Sequence, residues 1–127
     1  MRHMKKISIY LVVAVAAFCA GTLAANRYNA PSTIVHVSTV TWKKEATPEQ
    51  RKAALEGIKT MAAEVPGIKN VWIKATKVQP QERNDAFAIE FENKAAAEGY
   101  VNAPAHKAWE KIYIPYREES SNSQITN

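Results

Sequence analysis

Cysteine and glycine are scarce in this chain, and each shortage excludes a class of site. The 127 residues include one cysteine, Cys19, which lies in an N-terminal segment that has the features of a leader. A domain exported without that leader can form no disulfide, and it has no thiolate for catalysis or for a metal site. The four glycines form no phosphate-binding loop, and no Gly-x-Ser-x-Gly nucleophile elbow is present.

Histidines are also few. Of the three in the chain, His3 belongs to the leader, which leaves His36 and His106. The sequence contains no His-x-x-x-His pair and no aspartate-rich loop. We therefore expect neither a metal ion nor a cofactor.

The excess of positive charge is small once the leader is set aside. The chain has a formal net charge of +5, and Arg2, Lys5 and Lys6 contribute three of these charges. The remaining surplus of about +2 forms no basic stripe, which strong attraction to nucleic acid requires. We expect no nucleic-acid partner.

Residues 1–25 have the pattern of a secretory signal peptide. A positive start precedes an almost continuous apolar run from Ile7 to Ala20, and small residues follow. Cleavage after Ala24 or Ala25 predicts an exported protein, periplasmic or secreted, although neither position completes an Ala-x-Ala pattern. An uncleaved membrane anchor is the alternative, because the uncharged run from Ile7 to Ala25 approaches the roughly 18 to 20 residues that cross a bilayer. A lipid-modified Cys19 is disfavoured, because a large phenylalanine precedes it.

The rest of the chain divides into a linker, one domain and a polar tail. Residues 26–32 contain Pro31 and no apolar periodicity, which indicates a linker. Residues 33–116 carry the periodic patterns of a single domain. Residues 117–127 are polar, and only Gln124-Ile125-Thr126 can offer a short final strand.

Helices and strands alternate within the predicted domain. Residues 33–42 are partly apolar on both faces, which predicts a strand covered on both sides. Thr47, Pro48 and Gln50 form a helix start with a capping box, and the apolar stripe that follows ends at Pro66-Gly67. Two more strands and two helical segments are predicted at residues 68–78, 86–92, 94–100 and 106–114.

The predicted order β-α-β-β-α, with room for one more strand, indicates an α+β class, ferredoxin-like split β-α-β sandwich. Both helices of such a domain cover one face of the sheet. The other face carries Val35, Val37 and their neighbours, an apolar patch that is normally covered. We predict a symmetric homodimer that stacks sheet on sheet.

Residues 100–109 bring a phenol, an imidazole and an indole together around a proline: Tyr100, His106 and Trp109. An imidazole can take a proton near neutral pH, and a phenol can donate a hydrogen bond to a carbonyl oxygen as negative charge grows there. The pair therefore suits proton abstraction beside a carbonyl. In the structural alternative, His106 braces the turn at Pro104 and Tyr100 closes the core.

Other aromatic residues can complete a pocket for a small apolar or aromatic ligand. His36 lies on the inward face of the first strand, where a histidine lines a pocket or is satisfied within the core. Trp42, Trp72 and Trp109 lie on three different elements, so they either line the pocket or fill the core and the dimer interface. Three functions stay open: a small-molecule-binding or stress-related module without catalysis, a cyclase or lyase, and a purely structural dimer.

Five segments of the sequence carry the pattern of a known family. They are His36-Val-Ser-Thr-Val-Thr-Trp, Thr47-Pro-Glu-Gln, Val65-Pro-Gly-Ile, Ala86-Phe-Ala-Ile-Glu-Phe-Glu and Tyr100-Val-Asn-Ala-Pro-Ala-His. Together they resemble the stress-responsive α/β-barrel, or Dabb, domain family, from residue 36 to about residue 115. The resemblance implies a dimeric α/β barrel, and it implies fold more firmly than activity.

One branch of that family, the olivetolic-acid-cyclase-like polyketide cyclases, uses a tyrosine and a histidine in a similar segment. The resemblance assigns these roles to Tyr100 and His106, with Trp109 at an aromatic pocket position and His36 at the pocket end of the first strand. The sequence departs from the family where Ala103 replaces a frequent histidine and where polar residues replace an apolar final strand.

Overall fold

The computed structural model describes residues 29–127, so the predicted signal peptide and the first residues of the linker lie outside the described part of the chain. A four-stranded antiparallel sheet packs on one face against helices. Its strand order is β2-β3-β1-β4. The elements, in chain order, are β1 (Ile34–Trp42), α1 (Pro48–Glu64), β2 (Ile68–Trp72), β3 (Asp85–Phe91), α2 (Lys94–Gly99), a 3₁₀ turn (Tyr100–Asn102), α3 (Pro104–Tyr113) and β4 (Arg117–Ile125).

This connectivity and strand order confirm the predicted ferredoxin-like α+β fold. The inward face of β1 and β3 forms the core with the helices, around Val40, Phe87, Ile89 and Phe91. Within residues 29–127, no helix is long and apolar enough to cross a membrane.

Helix α1 begins as its sequence predicts. The Thr47 hydroxyl accepts a hydrogen bond from the Gln50 backbone at 3.2 Å, and the Gln50 side chain accepts one from the Thr47 backbone at 2.9 Å. This capping box satisfies two of the N–H groups that a helix start leaves free. The turn after α1 needs Gly67, because its φ is +86° and a Cβ there would collide with the Cβ of Ala96.

Strand β4 differs most from the expectation. It runs for nine residues, Arg117–Ile125, where the sequence analysis left a polar tail with at most a short strand at residues 124–126. Its backbone pairs antiparallel with β1 from Ile125 opposite Val35 to Arg117 opposite Trp42. Ladder hydrogen bonds come from the backbone, so a polar edge strand forms without apolar side chains of its own.

Strand β2 is shorter than predicted. It ends at Trp72, and residues 73–84 form a loop before β3, whereas the apolar pattern had favoured a strand as far as Val78. The register sets Trp72 opposite Ala88, so Trp72 points away from the helices. Together with Val35, Val37 and Ile125, these two residues form an apolar strip that we call the outer face.

Candidate functional site

A cavity of about 300 Å³ lies between the inward face of the sheet and α3. This volume is at the lower end of the roughly 300–1,000 Å³ that is typical of small-molecule sites. Aromatic rings supply one part of its lining: Phe87, Tyr100, Trp109 and Tyr113. Polar side chains supply another: His36, His106, Glu110, Arg117, Asn122 and Gln124. Such a lining suits a small, flat molecule that carries polar atoms.

Tyr100 and His106 are brought together where the 3₁₀ turn ends and α3 begins. Tyr100 opens the 3₁₀ turn, Ala103 is extended with φ −65° and ψ 137°, and Pro104 starts α3. The two rings meet edge to face with their centroids 4.5 Å apart. Tyr100 also packs against Phe91, at 4.9 Å between centroids, which fixes its ring over the core.

The orientation of the His106 ring follows from two acceptors. Its Nδ1 lies 3.1 Å from the carbonyl oxygen of Val101 and 2.9 Å from Oε1 of Glu110. A carbonyl and a carboxylate both accept hydrogen bonds, so Nδ1 carries the proton. In the neutral ring, Nε2 then keeps the lone pair and is the nitrogen that can accept a proton from a bound molecule.

Glu110 is a site residue that the sequence analysis did not find. A carboxylate on α3 reads as part of a solvated helix face, whereas here it holds His106 one helical turn away. The available signal was the spacing of four residues between the two, which places both side chains on the same side of a helix.

Burial sets the protonation states around the cavity. It lowers the pKa of His106, although the carboxylate of Glu110 and the Val101 carbonyl act in the opposite direction. Burial, and secondly the charge of His106, lowers the pKa of His36. Burial raises the pKa of Tyr100 to about 12. At neutral pH the two imidazoles are therefore neutral, and the phenol keeps the proton that it can donate.

His36 faces the same cavity from β1. Its ring centroid lies 6.2 Å from that of Tyr100 and 6.4 Å from that of Phe87. Within the described residues, its Nδ1 is buried without a hydrogen-bond partner, and so is the hydroxyl of Tyr113. Because buried polar atoms are normally paired, these two atoms are unused hydrogen-bonding groups in the wall of the cavity.

Trp109 is buried in the core and lines the cavity, and its indole nitrogen is occupied. Nε1 donates to the backbone carbonyl of Ala54 at 2.8 Å, which ties α3 to α1. The ring stacks on Tyr113 with centroids 4.4 Å apart and meets the ring of Phe87 edge-on at 5.8 Å. Trp109 therefore offers an apolar wall to a ligand.

The structure does not bring Trp42 and Trp72 to this cavity, although both were predicted as pocket residues. Trp42 points inward, but its Nε1 donates to Asp85 at 2.7 Å and its ring packs edge-on against Tyr113. Trp72 is 51% exposed on the outer face. Neighbouring residues of a strand point to opposite faces of the sheet, so Trp72 lies away from the cavity, on the face that a second copy was expected to cover.

The described residues offer no metal centre. Within residues 29–127, no group of three or more histidine, cysteine, aspartate or glutamate side chains is arranged to hold a metal ion. The acceptors around His106 Nδ1 leave that atom engaged within the protein. The arrangement of this site is that of an acid–base pair and a set of hydrogen-bonding groups.

The family model of the stress-responsive A/B barrel (Dabb) domain matches residues 34–122, from the start of β1 into β4. The chain belongs to the Dabb family. No curated protein matches the sequence significantly.

Solved structures share the fold of this Dabb domain at low sequence identity. A Dabb family protein from Mesorhizobium loti is 20% identical with a TM-score of 0.63, over 75% of this chain and 96% of its own. A dimeric ferredoxin-like protein of unknown function from Thermobifida fusca is 21% identical with a TM-score of 0.62, over 80% and 97%. The hydroxynitrile lyase of Passiflora edulis is 14% identical with a TM-score of 0.63, over 75% and 93%. At identities this low, the structural similarity shows a common fold alone.

Strand β4 of this Dabb domain adds residues to the site that the sequence analysis missed. Arg117, Asn122 and Gln124 line the cavity, although all three were assigned to a polar tail. The register pairs Asn122 with Ser38 and Gln124 with His36, so these two amides share the inward face with the histidine. The available signal was that Asn122 and Gln124 are two residues apart, which places them on the same face of a strand.

Proposed function

We propose that this Dabb-domain protein is a homodimer that binds a small carbonyl or aromatic compound in the cavity between α3 and the sheet. The observation that carries the proposal is the convergence of His36, Tyr100 and His106 on a cavity with aromatic walls. Aromatic walls bury a small ligand, and convergent polar groups fix its orientation. A purely structural dimer explains the bonds of His106 Nδ1 to Val101 and Glu110, but it gives no role to Nδ1 of His36, which has no partner among residues 29–127.

The second candidate function is catalysis of proton transfer, as in a cyclase or lyase. The neutral His106 presents Nε2 as a base, because Glu110 and Val101 hold the proton on Nδ1. Tyr100 stays protonated and can stabilise negative charge on a carbonyl oxygen. One protein of the same fold, from Passiflora edulis, is a hydroxynitrile lyase.

Acetophenone tests both functions, because it is an aromatic ketone with exchangeable hydrogens beside its carbonyl. Binding is measured by calorimetry and by thermal shift, and catalysis by exchange of the methyl hydrogens in D₂O, followed by NMR. Binding that survives in His106→Ala, without exchange in either protein, supports a binding module. Exchange that is lost in His106→Ala supports the enzyme. The absence of both binding and exchange, for acetophenone and for a panel of cyclic ketones and phenols, contradicts the proposal.

The proposed homodimer uses the outer face. This face is a strip of apolar surface that a second copy would cover, formed by Val35, Val37, Trp72, Ala88 and Ile125. The similar protein from Thermobifida fusca is described as dimeric. In analytical ultracentrifugation, Trp72→Lys should shift the protein from dimer toward monomer. Ile112→Lys, at a 41% exposed position of α3 beside Gly57 of α1, should leave it dimeric. An unchanged dimer in the Trp72 variant contradicts this arrangement.

We further propose that the protein is exported by its N-terminal segment. The support is the sequence of residues 1–25, with a positive start, an apolar run and small residues before the linker. Fractionation of expressing cells and N-terminal sequencing of the recovered protein test this. A mature chain that begins near residue 25 or 26 supports cleavage, a full-length chain in the membrane fraction supports an anchor, and a full-length cytoplasmic chain contradicts export.

A further inference from the structure

Arg117 is the cation of the cavity. It lies at the start of β4, opposite Trp42 of β1, and lines the cavity with the rings of α3. Its guanidinium carbon is 5.2 Å from the centroid of the Tyr113 ring, a cation–π contact that steadies the side chain. Within residues 29–127, no ion pair joins Arg117 to a carboxylate.

The one carboxylate of the cavity lining does not neutralise this charge. Glu110 lines the same cavity, but its Oε1 is 2.9 Å from Nδ1 of His106 and 3.8 Å from Nζ of Lys107. The planar guanidinium, with its five N–H donors, therefore has capacity for an anion from outside the protein. A carboxylate matches that fork with two parallel hydrogen bonds, which a single ammonium group cannot offer.

Further polar groups of the cavity lining lie near Arg117 on β4 and on the paired strand β1. Asn122 and Gln124 line the cavity from the same strand as Arg117. Gln124 pairs with His36 in the β1–β4 register, and Nδ1 of His36 has no hydrogen-bond partner among residues 29–127. The Tyr113 ring lies under the guanidinium, and its buried hydroxyl also has no partner within the described part of the chain. Trp109 and Phe87 supply the apolar surface on which a ring can lie.

We propose that the cavity selects a small aromatic carboxylate, whose carboxylate pairs with Arg117 and whose ring lies against the aromatic wall. This inference rests on the proposed small-molecule function and names its ligand class. A carboxylate at Arg117 leaves the remainder of the ligand in the space that Tyr100 and His106 also line.

Benzoate and benzamide test the proposal, because they have nearly the same shape and differ in charge. Calorimetry with the purified protein should show benzoate binding at least about tenfold more tightly than benzamide, the factor that a hydrogen bond to a charged group supports. Arg117→Gln should abolish the preference, because it weakens benzoate binding at least about tenfold more than benzamide binding. Lys111→Gln removes an exposed cation of α3 that does not line the cavity, and it should keep the preference.

Two further measurements locate the ligand and guard against a misfolded variant. Benzoate should shift the NMR signals of the His106 ring. Raising the salt concentration should weaken benzoate binding to the unmodified protein and leave benzamide binding unchanged.

Equal binding of both probes, a preference that persists in Arg117→Gln, unchanged His106 signals or salt-independent benzoate binding would each overturn the carboxylate site. These results leave the proposed binding function standing if benzamide or acetophenone binds. Failure of every probe to bind overturns both.

Discussion

Trp109 joins the two larger helices and forms a wall of the cavity, so its replacement by phenylalanine should weaken the fold and the site together. The indole is 5% exposed, and its nitrogen donates to the Ala54 carbonyl of α1 at 2.8 Å. Phenylalanine keeps an aromatic ring beside Tyr113 and Phe87, but it has no donor for α1 and fills less of the space between the helices.

Three contributions set the size of the effect. Loss of a hydrogen bond costs about 0.5–1.5 kcal/mol. The lower end of this range applies here, because the Ala54 carbonyl still accepts a backbone hydrogen bond within α1. The smaller buried ring costs about 1 kcal/mol of transfer free energy. Incomplete closure of the space left behind adds up to about 1 kcal/mol. We expect Trp109→Phe to lower the free energy of unfolding by about 2–3 kcal/mol, which is roughly 10–20 °C in Tm for a domain of this size.

Urea unfolding followed by circular dichroism measures this loss. Trp72→Phe is the matched control, because it removes the same atoms from a side chain that is 51% exposed. At low protein concentration it should change the free energy of unfolding by less than about 0.5 kcal/mol. A loss below about 1 kcal/mol in the Trp109 variant, or an equal loss in both variants, would refute the role of the indole as the link between α1 and α3.

Three other predictions concern titration and backbone geometry. The free energy of unfolding should fall as the pH drops from about 7.5 to about 5, because burial lowers the pKa of His36 and His106 and the unfolded chain therefore binds more protons in this range. Calorimetry should show a flatter pH dependence in the His36→Gln/His106→Gln double variant. Glu110→Gln should lower the pKa of His106 further in an NMR titration, whereas Glu56→Gln on α1 should leave it unchanged, and the same pKa in both variants would contradict the pairing. Gly67→Ala should cost about 2–4 kcal/mol of stability, since it forces a Cβ into positive φ and against Ala96, whereas Gly99→Ala, with nothing within 4 Å, should be neutral or stabilising.

The sequence predicts those parts of the fold that depend on local signals. The start of α1 is determined by Thr47, Pro48 and Gln50, which act within four residues of one another, and the structure shows the capping box that they predict. The inward face of β1 follows from alternation, and Ser38, Val40 and Trp42 are buried on it. Both signals are properties of short segments, so no tertiary information is needed to read them.

Strand β4 could not be predicted from its own residues. Glu118 to Ser123 has no apolar alternation, and the strand exists because β1 offers a row of backbone donors and acceptors. Such pairing depends on two segments that are about 80 residues apart in sequence, and the propensity of either segment alone does not reveal it.

The candidate site shows the same division. Tyr100 and His106 were found because a proline turn places them close together in sequence, and their rings do meet. Glu110 and Arg117 were missed because their roles depend on how α3 is rotated against the sheet and on where β4 runs. Of the two places left open for Trp72, the register with β3 excludes the cavity and leaves the outer face.

The lining of a cavity and the stability of the fold usually constrain each other during evolution, because the same residues serve both. In this protein the exposed, polar strand β4 separates them. Asn122 and Gln124 line the cavity, yet neither belongs to the hydrophobic core, which lies on β1, β3 and the helices. Replacing an exposed side chain on an edge strand costs little stability, because no close packing is lost. Under the proposed binding function, natural variation along this strand would change which molecule the cavity accepts while the fold stays intact, and relatives that differ here would differ in ligand.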